Sequence, residues 1–165
     1  ALPDVYGGFG TSLRFYGVDF SIGFTYQLGG QVLDQGYMFY MDSPAGTSTG
    51  NNYHHDLLNS WTPENSGSNI PRFAYNDSNQ AAVSDRFLTS ASYLNIQNIT
   101  LGYTLPKRIT RKFLVENLRI YFACDNVWYW SKRQGLDPRQ AINGITNPYY
   151  YAPIRTFSGG VTVTF

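Results

Sequence analysis

The side chains that could do metal or nucleophilic chemistry are concentrated in one short stretch, at His54, His55, Asp56 and Ser60. The two histidines are adjacent, so we expect their side chains to project apart, whereas zinc sites usually space their ligands by two or more residues. The spacing of His, Asp and Ser also matches no known nucleophilic triad, an arrangement that is defined by its geometry. The sequence therefore predicts neither a metal site nor a nucleophile here.

Carboxylate chemistry of the glycosidase kind needs two acidic residues that face each other across a cleft. Glu64 and Glu116 are the only glutamates, and nothing in the sequence places either of them near an aspartate. Cys124 is the single cysteine, so an internal disulfide is excluded. We expect no catalytic residue, no cofactor and no enzymatic activity.

Aromatic side chains are present in excess, since 14 Tyr, 11 Phe and 3 Trp make up 17% of the residues. Two clusters, at residues 128–130 and 149–151, could stack on sugar rings through their apolar faces. Trp128 has the parity of a residue at a membrane interface. The candidate substrate-binding residues are therefore Tyr149, Tyr150 and Tyr151, for which packing within a loop is the alternative.

Alternating apolar and polar residues predict five strands, at about residues 8–16, 18–27, 92–105, 117–128 and 154–165. A phase slip near Gln97 predicts a β-bulge in the third of them. Short turns alternate with long loops at about 28–91 and 131–153, and residues 54–61 could form a short helix in the first loop. This alternation is typical of an up-and-down transmembrane barrel, whose long loops are extracellular.

One face of the predicted strands suits lipid and the other suits water. With the long loops outside the cell, aromatic residues fall at two interface levels, as in membrane barrels. The outer belt would contain Phe9, Tyr26, Trp128 and Phe157, and the inner belt Phe15, Tyr103 and Phe165. The opposite parity places four charged residues toward a watery lumen: Arg14, Asp19, Arg119 and Asp125.

Composition restricts the other possibilities. A net charge of +1 gives no electrostatic footprint for nucleic acid. No apolar run approaches the ~18 residues of a membrane helix, and no signal peptide opens the sequence. Five strands leave two unpaired edges, which a bilayer does not tolerate. We therefore expect the remaining strands to come from more of the same protein, of which this is a mature part.

In the last ten residues, apolar and polar side chains alternate up to a terminal phenylalanine. Their pattern resembles the C-terminal signal by which bacterial outer-membrane barrels are recognised for insertion. The residues that match this signal are Gly160, Val163 and Phe165.

Several short strings extend this likeness over essentially the whole chain, in consistent order. Together they resemble the C-terminal part of the SusC/RagA-type TonB-dependent outer-membrane transporters of Bacteroidetes. The strings are Tyr6-Gly-Gly-Phe9, Asp56-Leu-Leu-Asn-Ser-Trp-Thr-Pro-Glu-Asn65, Ile70-Pro-Arg72, Ser84-Asp-Arg-Phe-Leu88, Ser92-Tyr-Leu94, Asn98-Ile-Thr-Leu-Gly-Tyr-Thr-Leu-Pro106, Asn117-Leu-Arg-Ile-Tyr121, Gly135-Leu-Asp-Pro138 and Arg155-Thr-Phe157.

The resemblance implies an all-β fold, a transmembrane antiparallel barrel of roughly 22 strands with a plugged lumen, of which this chain supplies about five C-terminal strands. It implies import of oligosaccharides or peptides across the outer membrane, together with a SusD-like surface lipoprotein. TonB would act through an N-terminal part, and the plug domain is absent from this sequence. The alternative is a secreted β-sandwich carbohydrate-binding module.

Overall fold

A computed structural model describes residues 2–43, 50, 52–77, 79–133, 135–141, 143–147 and 149–165. Seven strands lie in these residues, and five of them form one antiparallel sheet in the order β1-β2-β5-β6-β7. The strands are β1 (Val5–Phe15), β2 (Val18–Leu28), β3 (Gln31–Leu33), β4 (Leu88–Ser90), β5 (Tyr93–Thr104), β6 (Asn117–Ser131) and β7 (Thr156–Thr164).

The five long strands lie where the alternation indicates, with small differences at their ends. β1 begins three residues before the expected start, and β6 continues three residues beyond its expected end. β1 and β2 form the predicted tight hairpin, in which Phe15 pairs with Val18. Its two turn residues, Tyr16 and Gly17, both have positive φ, which suits the twist of a two-residue hairpin.

The predicted bulge is confirmed at Gln97. Gly23 and Phe24 are consecutive in β2, but their partners in β5 are Asn98 and Ile96, so Gln97 is extra. A second irregularity follows in β6, where Asn98 pairs with Asp125 and Ile96 with Trp128. Relative to β2, β5 therefore carries one additional residue and β6 carries two.

One face of the five-stranded sheet is apolar and uncharged. Its residues alternate along every strand with the polar ones, and many of the largest are exposed, including Phe9, Phe15, Phe122, Phe157 and Val161. The other sheet in the described residues contains only β3 and β4, which have three residues each. A sandwich needs two inner faces packed on each other, so the β-sandwich alternative is wrong.

The opposite face of the sheet is polar and carries the four charged residues expected there. Arg14 is the register partner of Asp19. Asp19 accepts two hydrogen bonds from the Arg119 guanidinium, at 3.1 and 2.5 Å. Asp125 lies further along this face, opposite Asn98.

The connections between the long strands differ greatly in length. The connection between β5 and β6 is short and contains α2 (Lys107–Thr110) and a 3₁₀ helix at Arg111–Phe113. The first long loop contains α1 (Gln35–Tyr40), β3, β4 and the expected short helix, a 3₁₀ turn at His55–Asn59. A further 3₁₀ turn, Pro138–Gln140, lies in the second long loop. Among the described residues, no helix has the length and apolarity needed to span a membrane.

Candidate functional site

The two long loops join into one folded unit, which we call the loop unit (the described residues of 29–92 and 132–155). Leu33 at the end of β3 forms a parallel bridge with Ile145 of the second loop. The Leu33 N–H donates to the Gly144 carbonyl at 2.8 Å, and the Thr146 N–H donates to the Leu33 carbonyl at 3.0 Å. Backbone groups that are paired in this way fix the second loop against the first.

A small apolar core lies inside the loop unit. Val32, Ala91 and Ala141 are buried together, with Leu136 packed against them. Met41 and Phe87 are also fully buried. A satellite cluster of this kind under long loops stabilises a single arrangement of the loops, although alternation in the sequence breaks down over these residues.

Asp34 and Arg133 form an ion pair between the loops, at 3.1 Å. The Asp34 side chain also caps α1 by accepting the Tyr37 N–H at 2.9 Å, as Asp does at helix starts. The Arg133 guanidinium lies 3.7 Å from the centre of the Tyr37 ring, within the range of a cation–π contact. The beginning of α1 is thus tied to the second loop by one arginine.

Tyr37 connects this pair to the histidine stretch. Its hydroxyl donates to Asp56 Oδ2 at 2.8 Å, and its ring meets the His54 ring edge-on at 4.7 Å. Burial raises the pKa of Tyr37, and the hydrogen bond to the Asp56 carboxylate raises it further. The phenol is therefore held neutral, as a donor to Asp56.

A second polar cluster connects the end of β6 with the loop unit. Arg139 donates to both carboxylate oxygens of Asp137, which is buried, and this hydrogen bonding raises the pKa of Arg139. Arg139 also donates to Asn126 Oδ1 at 2.8 Å. Asn126, with φ +52°, donates in turn to the Pro153 carbonyl at 2.6 Å. Asn126 of β6 therefore holds both Arg139, within the second loop, and Pro153, near the end of that loop.

These contacts surround a cavity of about 910 Å³ inside the loop unit. Its volume lies in the range of sites for small ligands. Its wall combines aromatic rings with side chains of both charges. Those that bear on the arguments below are Tyr37, His54, His55, Asp56, Arg133 and Tyr150.

The three candidate substrate-binding tyrosines are separated by the structure. All are exposed, but Tyr150 lines the large cavity whereas Tyr149 and Tyr151 do not. The Tyr151 carbonyl accepts a hydrogen bond from Gln140 at 2.6 Å. Of the three residues, only Tyr150 is positioned to contact a ligand in that cavity.

Trp128 and Trp130 lie on the apolar face of β6, opposite Ile96 and Leu94. Both are half exposed and line a smaller cavity of about 460 Å³ with Arg155, whose guanidinium lies 5.6 Å from the Trp128 ring centre. An interfacial position for Trp128 stays a prediction.

The other predicted belt residues that belong to strands also lie on the apolar face. Phe9 stacks on Phe24 with ring centres 4.8 Å apart, and Tyr26 lies 6.3 Å from the Phe9 ring. Register rows join Phe9 with Trp128 through β2 and β5, and Phe15 with Tyr103 through Val18. Phe157 lies in another row, opposite Cys124.

The three residues of the predicted insertion signal lie in or beside the last strand. Gly160 faces the polar side and pairs with Tyr121, whose ring covers it so closely that a β-carbon would lie 2.6 Å from the ring. Val163 faces the apolar side, opposite Leu118. Phe165 follows the end of β7 and is almost fully exposed.

Sequence reasoning missed part of the cavity wall. Asp34, Tyr37 and Arg133 belong to no motif, Asp137 lies in the string Gly135-Leu-Asp-Pro138, and the spacing of these four residues along the chain gives no sign that they meet. The one available signal is Asp34 before an aromatic-rich helical stretch, which marks a helix start. The expectation that the side chains of the adjacent histidines project apart is wrong, since their ring centres lie 4.6 Å from each other.

Comparison with known proteins finds similarity to TonB-dependent receptors. No protein-family model matches the chain. TonB-dependent receptor P3 of Formosa agariphila is 26% identical over 173 residues, which cover 99% of this chain and 16% of the receptor. TonB-dependent receptor SusC of Bacteroides thetaiotaomicron is 28% identical over 164 residues, which cover 98% of this chain and 15% of SusC. The chain thus spans about a sixth of the length of these relatives.

Solved structures agree on the fold. The RagAB peptide importer in its closed-closed state matches 99% of this chain and 17% of the importer chain, with a TM-score of 0.83 and 22% identity. The same importer in its open-open state matches with a TM-score of 0.81 and 24% identity. The five-stranded sheet and its loop unit therefore have the fold of one part of a transporter barrel.

Proposed function

From the relationship of this chain to the SusC/RagA-type TonB-dependent outer-membrane transporters, we propose that it forms part of the barrel wall of an importer of oligosaccharides or peptides. The observation that carries the proposal is the uncharged, exposed face of the sheet. Its strands have 9 to 15 residues, and a tilted membrane strand needs about 9–11. An apolar surface of that size on a folded chain belongs against lipid or protein.

The polar face of the same sheet forms part of the lumen wall. Its charged residues, among them Asp19 and Arg119, are paired or lie beside polar neighbours, and charge is tolerated in the lumen far better than on the lipid face. The plug and the segment that TonB contacts belong to other parts of the protein. The residues of this chain make or break no covalent bond in the mechanism.

The loop unit lies on the extracellular side in this proposal, where long barrel loops are found. It contributes part of the surface that a SusD-like lipoprotein covers. Its cavity, with Tyr150 in the wall, is the candidate contact for the imported molecule. The aromatic residues at the two ends of the strands form the belts, and Gly160, Val163 and Phe165 are the residues of the proposed insertion signal.

Uptake by living cells tests the proposal. Cells with and without the full-length protein are given labelled oligosaccharides and labelled peptides, with and without a protonophore that removes the energy on which TonB depends. We expect uptake of one of these classes to need both the protein and the proton gradient. Equal uptake in all four conditions, for both classes, would contradict an importer function.

The assembly is tested separately. Outer membranes are extracted in mild detergent and the native complex is analysed by mass spectrometry. A plug-bearing barrel and a surface lipoprotein should be found with this chain. A chain that is found alone and stays soluble after the detergent is removed would contradict the barrel assignment.

A further inference from the structure

Among the described residues, one group of three side chains of metal-ligating type lies close together. It consists of His54, His55 and Asp56, whose ligand atoms all lie within 4.8 Å of one another. The chain turns between the histidines, because His54 is extended and caps the 3₁₀ helix that begins at His55. This turn brings two adjacent rings to the same side, which the spacing in the sequence does not suggest.

The distances in this group match those between the ligands of one small cation. His54 Nδ1 lies 3.3 Å from Asp56 Oδ2, and His55 Nε2 lies 3.0 Å from Asp56 Oδ1. Ligand atoms around a tetrahedral Zn²⁺ with bonds of about 2.0–2.2 Å are separated by about 3.3–3.5 Å. The remaining separation, between the two histidine nitrogens, is at most 4.8 Å, and side-chain rotation has to shorten it before all three can bind one ion.

The His54 atom nearest the carboxylate is Nδ1, which accepts the Asp56 N–H at 3.2 Å. Binding of a metal through Nδ1 would replace that long hydrogen bond with a metal bond. His55 presents Nε2 to the other oxygen of the same carboxylate.

The carboxylate is held from outside the group. Tyr37 donates to Asp56 Oδ2 and packs on the His54 ring, and Arg133 holds Tyr37 through its ring face. Support of this kind orients the ligands in known metal sites and contributes to their affinity. The group is thus part of a fixed arrangement.

The group is also open to a ligand. All three residues line the large cavity, and the His55 side chain is 79% exposed. Three protein ligands leave the fourth position of a tetrahedral ion free, as in zinc sites that bind water or substrate. Since all three residues line the cavity, a fourth ligand could approach from there.

We propose that His54, His55 and Asp56 bind a divalent cation of the Zn²⁺ class, with its open position directed into the cavity of the loop unit. Two imidazoles and one carboxylate favour Zn²⁺, Ni²⁺ or Cu²⁺ over Mg²⁺ and Ca²⁺, which prefer sites made entirely of oxygen ligands. An oxygen atom of a molecule in the cavity can complete the coordination. This site does not depend on the proposed import function. It would be present whichever molecule the transporter imports.

Calorimetric titration of the full-length protein with Zn²⁺ tests the site. The protein is purified in mild detergent, treated with a chelator and compared with three variants. Removal of a ligand should lower the affinity for one equivalent of Zn²⁺ at least tenfold in His55→Ala and in Asp56→Asn. Glu116→Gln, a carboxylate-to-amide change in the turn between β5 and β6, should bind as the unchanged protein does.

The outcome that overturns the proposal is equally specific. Zn²⁺ binding that is absent, or that has the same stoichiometry and affinity in His55→Ala as in the unchanged protein, rules the site out. His55 is exposed, so its replacement should leave the fold intact, and the unfolding temperature without metal checks this. X-ray absorption at the zinc edge gives an independent readout, and a bound ion without imidazole neighbours also contradicts the assignment.

Discussion

The Arg119 guanidinium on β6 and the Asp19 carboxylate on β2 meet across the strand between them, with Nη2 and Oδ2 2.5 Å apart. The strand they cross is β5, and the residue beneath the ion pair is Gly102, the register partner of Asp19. A β-carbon on Gly102 would collide with both charged side chains. The ion pair therefore depends on the absence of a side chain on the intervening strand.

We expect Gly102→Ala to destabilise the barrel, because the new methyl group forces Asp19 and Arg119 apart. The expected loss is that of the ion pair, because both colliding groups are the ends of side chains that can move aside. The measurement is the temperature at which the full-length protein unfolds on a heated detergent gel. Gly159→Ala is the matched control, since its β-carbon would meet only a carbonyl oxygen at 3.6 Å. Equal unfolding temperatures for the two variants would contradict this reading.

Gly160 has two possible roles: it belongs to the predicted insertion signal, and it leaves space for the Tyr121 ring that packs on it. A double variant separates these roles. Gly160→Ala should lower the amount of folded barrel in the outer membrane several-fold, because the ring has no space for a methyl group. Tyr121→Ala in the same chain removes the collision and should restore most of the folded barrel. Failure of the second change to restore it would assign the glycine to signal recognition instead.

Arg133→Gln should loosen the loop unit. It leaves the Asp34 carboxylate without its ion pair and removes the cation from the Tyr37 ring, at a cost of roughly 1–3 kcal/mol. We expect faster amide hydrogen exchange in residues 31–43 and 143–147, with unchanged exchange in the long strands. Lys132→Gln, which removes an exposed positive charge from the neighbouring residue, is the control and should leave the exchange as it is.

Tyr37→Phe tests the hydrogen bond to Asp56 and should make the loop unit less stable by about 1 kcal/mol. The effect depends on pH in a defined direction. The pKa of Tyr37 is raised in the folded protein, so its contribution is complete below about pH 10 and is lost as pH rises through the raised pKa. Hydrogen exchange or limited proteolysis near pH 11 should therefore show less alkaline loosening in the variant than in the unchanged protein.

Tyr150→Ala should weaken binding or uptake of the imported molecule by roughly 1 kcal/mol, or about fivefold, through loss of an aromatic contact. Tyr151→Ala is the matched control, because this neighbouring tyrosine is exposed and lies outside the cavity wall. Uptake rates of the two variants at equal amounts of protein in the membrane provide the comparison. An equal effect of both changes would assign the tyrosines to packing or to a partner surface.

The sheet could be predicted from the sequence. Apolar and polar residues alternate along its strands, because one face meets lipid and the other meets water. Even the bulge at Gln97 was visible as a slip in that alternation. The loop unit could not be predicted in the same way. Its contacts join residues that are far apart along the chain, such as Asp34 with Arg133 and Leu33 with Ile145.

The histidine pair shows the same limit on a smaller scale. A rule about neighbouring side chains holds for regular backbone, but His54 and His55 lie on either side of a helix start. The direction of each ring depends on that local change of backbone. Sequence spacing alone therefore gave the wrong expectation for the relative direction of these two rings.

The extra residue at position 97 also determines which changes of chain length β5 can accept. Below it, Ile99, Leu101 and Tyr103 face the lipid side, and beyond it Leu94 and Ile96 do so only because the bulge resets the alternation. Straightening the strand with this residue retained would turn half of it inside out, with Asn95 toward the membrane and Leu94 toward water. Deleting residue 97 would instead leave Ile96 next to Asn98, with both on their present faces and opposite their present partners. We therefore expect this position to accept the loss of one residue, whereas a one-residue deletion within the regular part of β5 should disrupt the wall.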